Sequence, residues 1–154
     1  MKKSILILFL CFLNHITTAQ TNTELYTDLY VVFAGTSTNF NELDKLCHKI
    51  ANETGDQYVN SLEYDSARGM IVPDTSSDEL YKGSYYPRRY PEKGISIEML
   101  WYYSNSQPEN EKRLVAITGI FDKKSDAILN LKNVQKIDPS AYVKKLKMYM
   151  GCMH

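Results

Sequence analysis

Between residues 81 and 103 the chain gathers six of its twelve tyrosines: Tyr81, Tyr85, Tyr86, Tyr90, Tyr102 and Tyr103. The only tryptophan, Trp101, and the adjacent pair Arg88 and Arg89 lie in the same stretch. A tyrosine ring stacks on the apolar face of a sugar while its hydroxyl hydrogen-bonds, and an arginine pairs with carboxylates. Within that stretch Tyr81, Tyr85, Tyr86, Arg88, Arg89 and Tyr90, with Trp101, could therefore hold an acidic glycan. The same composition suits a hot spot for a protein partner. It also suits an irregular segment whose tyrosines anchor it to a sheet and whose arginines are solvated. A second, weaker set of hydroxyls is Thr36, Ser37 and Thr38, which could bond a sugar or, with Asn39, cap the following helix.

Catalytic chemistry has little to work with. His48 adjoins Cys47, but neighbours on a helix point about 100° apart and make no nucleophile–base pair. There is no glycine-rich phosphate loop and no zinc-ligand spacing, and carboxylates such as Glu63 and Asp65 are ordinary turn residues. The sequence thus points to a non-catalytic chain without cofactor or metal. The tail residues Met148, Met150, Cys152, Met153 and His154 are soft enough for Cu(I). Met148 and Met150 alternate as core residues do, however, and no paired-cysteine motif accompanies them. With 18 basic against 18 acidic residues, the chain lacks the basic footprint of a nucleic-acid binder.

These side chains need a framework, and the 154 residues supply one domain after a leader is removed. Lys2 and Lys3, the apolar run Ile5 to Leu13 and the small residues Thr17, Thr18 and Ala19 read as a signal peptide over 1–19. The apolar run is shorter than the ~20 residues that span a bilayer, so no transmembrane segment is expected after cleavage. Leu10 before Cys11 is too large for a lipoprotein signal, which argues against lipidation. The expected mature chain, 20–154, is periplasmic or secreted. Losing Lys2 and Lys3 leaves 16 basic residues against 18 acidic ones, a charge of −2. It retains Cys47 and Cys152, which in an oxidising compartment either form one disulfide or remain two buried thiols.

Along the mature chain, 28–38 is apolar on both faces, as an interior strand is. The stretch 39–55 is an amphipathic helix with capping-box spacing at Asn39 and Glu42, a stripe through Phe40, Leu43, Leu46, Cys47, Ile50 and Ala51, and a stop at Gly55. Residues 57–64 alternate as a half-polar strand. The pattern recurs as an apolar strand over 112–121, a helix stopped by Pro139, and a lysine-bearing strand over 140–150. Gly35 and Gly119 are 84 residues apart, as are Tyr58-Val59 and Tyr142-Val143, so the two units share one register.

Duplicated strand–helix–strand units predict an α+β fold of split βαβ (ferredoxin-like, RNP-like βαββαβ) type. Its antiparallel sheet carries both helices on one face. The first strand of each unit is expected at the centre and the last at an edge, where Lys144, Lys145 and Lys147 discourage further pairing. Between the halves lies an insertion, 65–105. It consists of a turn-rich loop to residue 94 and an extra strand from 95, with Ile95, Ile97, Met99, Trp101 and Tyr103 on one face and a hairpin back into 113–121.

The segments YVVFAGTSTNFNELDKLCHKI and RLVAITGIFDKKSDAILNLKNV, closed by the AYV strand, resemble a SPOR domain, a bacterial cell-envelope module of βαββαβ topology. Gly119-Ile120-Phe121 is similar to the second repeat motif with Ile in place of Pro, and Gly35-Thr36-Ser37 to the first at the glycine and hydroxyl. The resemblance implies binding to peptidoglycan glycan strands stripped of stem peptides. It places the ligand on the sheet face away from the helices and on adjoining loops, Thr36 and Ser37 among them. The competing expectation is a periplasmic or secreted inhibitor or immunity-type protein that uses the Tyr/Arg-rich insertion against another envelope protein.

Overall fold

A computed structural model describes residues 25–59, 63–72, 83–104 and 112–151. The expected signal peptide lies outside them. Among the described residues the fold is α+β, with two helices and a four-stranded antiparallel sheet. Its long elements are strand β1 (Tyr26–Ser37), helix α1 (Phe40–Thr54), strands β4 (Glu92–Met99) and β5 (Leu114–Phe121), helix α2 (Lys124–Val134) and strand β6 (Tyr142–Tyr149). Two short strands, β2 (Glu63–Asp65) and β3 (Met70–Val72), pair with each other, and a 3-10 turn spans Leu100–Tyr103. The main sheet runs β4-β5-β1-β6.

The local signals in the sequence act as physical chemistry dictates. Asn39 caps α1 with its side-chain oxygen accepting from the Asn41 amide, and its own amide group donates to Glu42. Ser37 donates to the Glu42 carboxylate at 2.7 Å and accepts from the Asn39 amide, closing the start of the helix. Gly55 ends α1 in the left-handed conformation at φ 73°, which a residue with a Cβ rarely adopts. Gly35 lets that helix lie close, since a Cβ there would come within 2.7 Å of Leu46.

Helix faces and sheet form one core layer. Leu43, Cys47 and Ile50 of α1 and Ala127, Leu131 and Val134 of α2 pack on Val32, Ala34, Ile95, Ile97, Met99, Leu114 and Ala116. Both helices therefore cover the same side. Strand β1 is buried on both faces because its odd residues, Leu29, Val31 and Phe33, enter a second apolar layer with Val115, Ile117, Ile120, Leu146 and Met148. The second layer is covered as well. Leu100 and Tyr103 of the 3-10 turn belong to it, and Tyr102 and Met150 pack against it.

The doubled register holds from strand to helix: Ser37 and Phe121 end their strands, and Asn39 and Lys123 are the two helix N-caps, each pair 84 apart. It fails afterwards. Of residues 57–64, those described do not form the expected edge strand: 57–59 belong to no strand, and 63 and 64 belong to β2. Tyr58 makes a single parallel bridge to Ile95, with Val59 donating to the Ile95 carbonyl and Ile95 to the Gln57 carbonyl. The place beside β5 belongs to β4, whose Ile95, Ile97 and Met99 bury apolar surface on the helix side that 57–64 cannot match. The segment read as an extra strand within an insertion is thus one of the four strands of the sheet. It also ends at Met99, four residues before Tyr103, because the chain turns into the 3-10 helix. Strand β6 is the opposite edge, with Lys144, Lys145 and Lys147 exposed along it.

Candidate functional site

Much of the tyrosine–arginine cluster faces inward. Arg88 donates to the carbonyls of Gly94 (3.0 Å) and Glu92 (3.1 Å) and to Ser96 Oγ (3.0 Å). Ser96 donates to one oxygen of Glu98 at 2.8 Å and Tyr85 to the other at 2.7 Å, while Tyr85 accepts from the Met99 amide. Tyr103 closes the group by donating to the Arg88 carbonyl at 2.6 Å. Glu98 is fully buried. Desolvation raises its pKa, against the opposing pull of the Tyr85 and Ser96 hydroxyls and the Arg88 charge. Burial likewise pushes the Tyr85 and Tyr103 phenols well up, so both stay protonated donors.

Arg89 is 3% exposed. It donates to the Gly151 carbonyl and to Tyr86 Oη, and its guanidinium lies 5.7 Å from the Tyr86 ring centre and 5.3 Å from that of Tyr90. The reading of Arg88 and Arg89 as outward groups for a ligand carboxylate is therefore corrected: both tie residues 85–90 to the body of the protein. Trp101 is half-buried, edge-on to Tyr85 and Tyr102, and packs on the helix-side core. Tyr81 lies outside the described residues.

What the cluster does present to solvent is Tyr86 and Tyr90, flanking Arg89. Tyr102 extends this face. Burial raises its pKa, and Arg89, Tyr86 and Tyr26 are among the groups within electrostatic reach of it. Tyr26 stands against Tyr149 with ring centres 5.3 Å apart, and Lys147 Nζ sits 5.8 Å over the Tyr26 ring. A cavity of about 150 Å³ opens here, lined by Tyr26, Tyr102, Tyr103, Leu146, Lys147, Met148 and Tyr149. The exposed tyrosines of the 83–104 segment and those at the end of the β1–β6 pair thus join in one aromatic strip. Sequence reasoning missed Tyr26, Tyr102, Tyr149 and Lys147 as members, because each reads as an ordinary strand position. Glu98 was missed too; a lone acid opposite Ile97 and Met99 reads as a solvent-facing residue.

The remaining candidates have structural employment or stand apart. Ser37 is engaged in the α1 cap, and Thr36 is exposed at the far end of β1 from Tyr26. Cys47 is a free, buried thiol, and burial with the Asp44 charge raises its pKa to about 12. Its side chain points into the core on the α1 stripe, and Cys152 lies outside the described residues. His48 is exposed, 3.8 Å from Asp44 and edge-on to Tyr58, whose hydroxyl donates to Asp44. Among the described residues no group of three or more His, Cys, Asp or Glu is placed to hold a metal ion, and no helix is long and apolar enough to cross a membrane. Comparison with family models, with curated proteins and with solved structures finds no match.

Proposed function

We propose that the chain is an exported, non-catalytic binding module of SPOR-like, split-βαβ (ferredoxin-like) design whose ligand is peptidoglycan glycan. The observation that carries this reading is the aromatic strip from Tyr90 and Tyr86 through Tyr102 to Tyr26 and Tyr149. A row of half-exposed tyrosines suits a polymer that repeats an apolar sugar face. Two features of the sheet support the architecture. The first strands of the two units, β1 and β5, are neighbours at its centre, and β6 is an edge. The strand ends and helix starts also keep the 84-residue spacing of the repeat.

The ligand's position differs from the one the resemblance implies. Tyr103 and Leu100 sit over the helix-free face, and Val31, Val115 and Ile117 beneath are fully buried. In this reading the glycan therefore runs along the rim of that face, over the tyrosines.

Cosedimentation of the purified chain with sacculi tests it. Binding that increases when an amidase strips the stem peptides is the expected result. Absence of binding to both intact and stripped sacculi overturns the glycan reading and favours an envelope protein as the partner of the exposed tyrosines.

A further inference from the structure

We infer that the cavity at the end of the β1–β6 pair is a subsite for a single sugar ring bearing a carboxylate, with Lys147 supplying the complementary charge. This rests on the glycan reading above and adds to it the kind of sugar that is read.

Size is the first argument. About 150 Å³ is well short of the roughly 300–1,000 Å³ of sites that enclose a drug-sized ligand. The cavity fits one ring-sized group and leaves the rest of a polymer outside. Lining is the second. Tyr26 and Tyr149 meet at 59°, giving aromatic walls in two orientations, and Leu146 and Met148 contribute apolar surface from the buried layer. Tyr102 and Tyr103 stay protonated, since burial raises both phenols. Such a lining matches a pyranose, which has apolar faces and a polar rim.

Charge decides between a neutral and an acidic sugar. Strand register puts Asp28 opposite Lys147, yet the Asp28 carboxylate pairs with Lys145 at 2.7 Å. Lys147 is within electrostatic reach of Asp28 but lies over the Tyr26 ring at the cavity wall, and it is exposed. No acidic residue lines the cavity among the described residues. A neutral ring gains only from the walls, whereas a carboxylate gains an ion pair as well. For a solvent-exposed pair that is worth up to about fivefold in affinity.

The test measures binding of the full chain to a soluble glycan of alternating N-acetylglucosamine and N-acetylmuramic acid without stem peptides. A second sample of the same glycan has its carboxylates converted to amides. The expected result is tighter binding of the acidic form by the wild type, by up to about fivefold, and no preference in Lys147→Gln. Lys147 is exposed, so this variant keeps its fold, which circular dichroism verifies. Equal wild-type affinity for the two glycans overturns the inference and leaves the glycan reading standing. A preference that survives in Lys147→Gln also overturns it. Absence of binding to either glycan overturns the glycan reading itself.

Discussion

Replacing Arg88 by alanine separates an internal tie from a ligand contact. The change removes three hydrogen bonds from a charged donor, two of them to the Gly94 carbonyl and Ser96 Oγ in partly buried surroundings. It also deprives the fully buried Glu98 of its nearby cation, leaving the Tyr85 and Ser96 hydroxyls and the backbone amide of residue 88 to offset desolvation. The ion pair with the Glu92 carboxylate, at 3.7 Å and on a side chain 62% exposed, adds little. Losing two charged hydrogen bonds in partly buried surroundings, at about 1.5–2.5 kcal/mol each, costs about 3–5 kcal/mol. At a urea m-value of about 2 kcal/mol/M, the unfolding midpoint falls by about 1.5–2.5 M. Glu98→Gln added to Arg88→Ala recovers at least about 1 kcal/mol, because a neutral amide needs no cation beside it. A loss below about 1 kcal/mol for Arg88→Ala, accompanied by loss of glycan binding, refutes the reasoning and returns Arg88 to the ligand.

Two further predictions concern buried titratable groups. Glu98 has a raised pKa in the folded protein. Its contribution to stability is therefore fully present below the ordinary value of 4.5 and is lost as pH climbs through the raised folded value. Urea midpoints of the wild type should fall across that window relative to those of Glu98→Gln, and parallel curves would contradict the assignment. The Cys47 thiol, pushed up to about 12, is protonated and enclosed at pH 8. Iodoacetamide with peptide mapping should find Cys47 unlabelled in native protein and labelled in urea. Rapid native labelling would contradict its place in the core.

Sequence pattern revealed elements whose causes are local. The Asn39–Glu42 spacing and Gly55 mark α1 to within a residue at each end, and the apolar runs around Val31 and Val115 mark the two central strands. The failure at 57–64 has a tertiary cause. Alternation can say that a stretch is able to pair, but the competition with Ile95, Ile97 and Met99 for the edge of β5 appears only when both are placed. The site divides in the same way. Residue type picked out Tyr86 and Tyr90, yet it could not tell them from Tyr85, which is half-buried with its hydroxyl turned in to Glu98. Nor could it join them to Tyr26 and Tyr149. Those residues are distant in sequence and reach the strip only through the β1–β6 register and the position of Tyr102.

The central claim is tested most directly by the affinity of the purified chain for a stem-peptide-free peptidoglycan glycan, measured by titration beside Tyr86→Ala/Tyr90→Ala. These two side chains are 38% and 54% exposed, so their truncation probes the strip more than the fold. At about 0.5–1.5 kcal/mol for each aromatic contact, the account predicts saturable wild-type binding weakened about tenfold in the double variant. Absence of wild-type binding, or equal affinity in the two proteins, contradicts it.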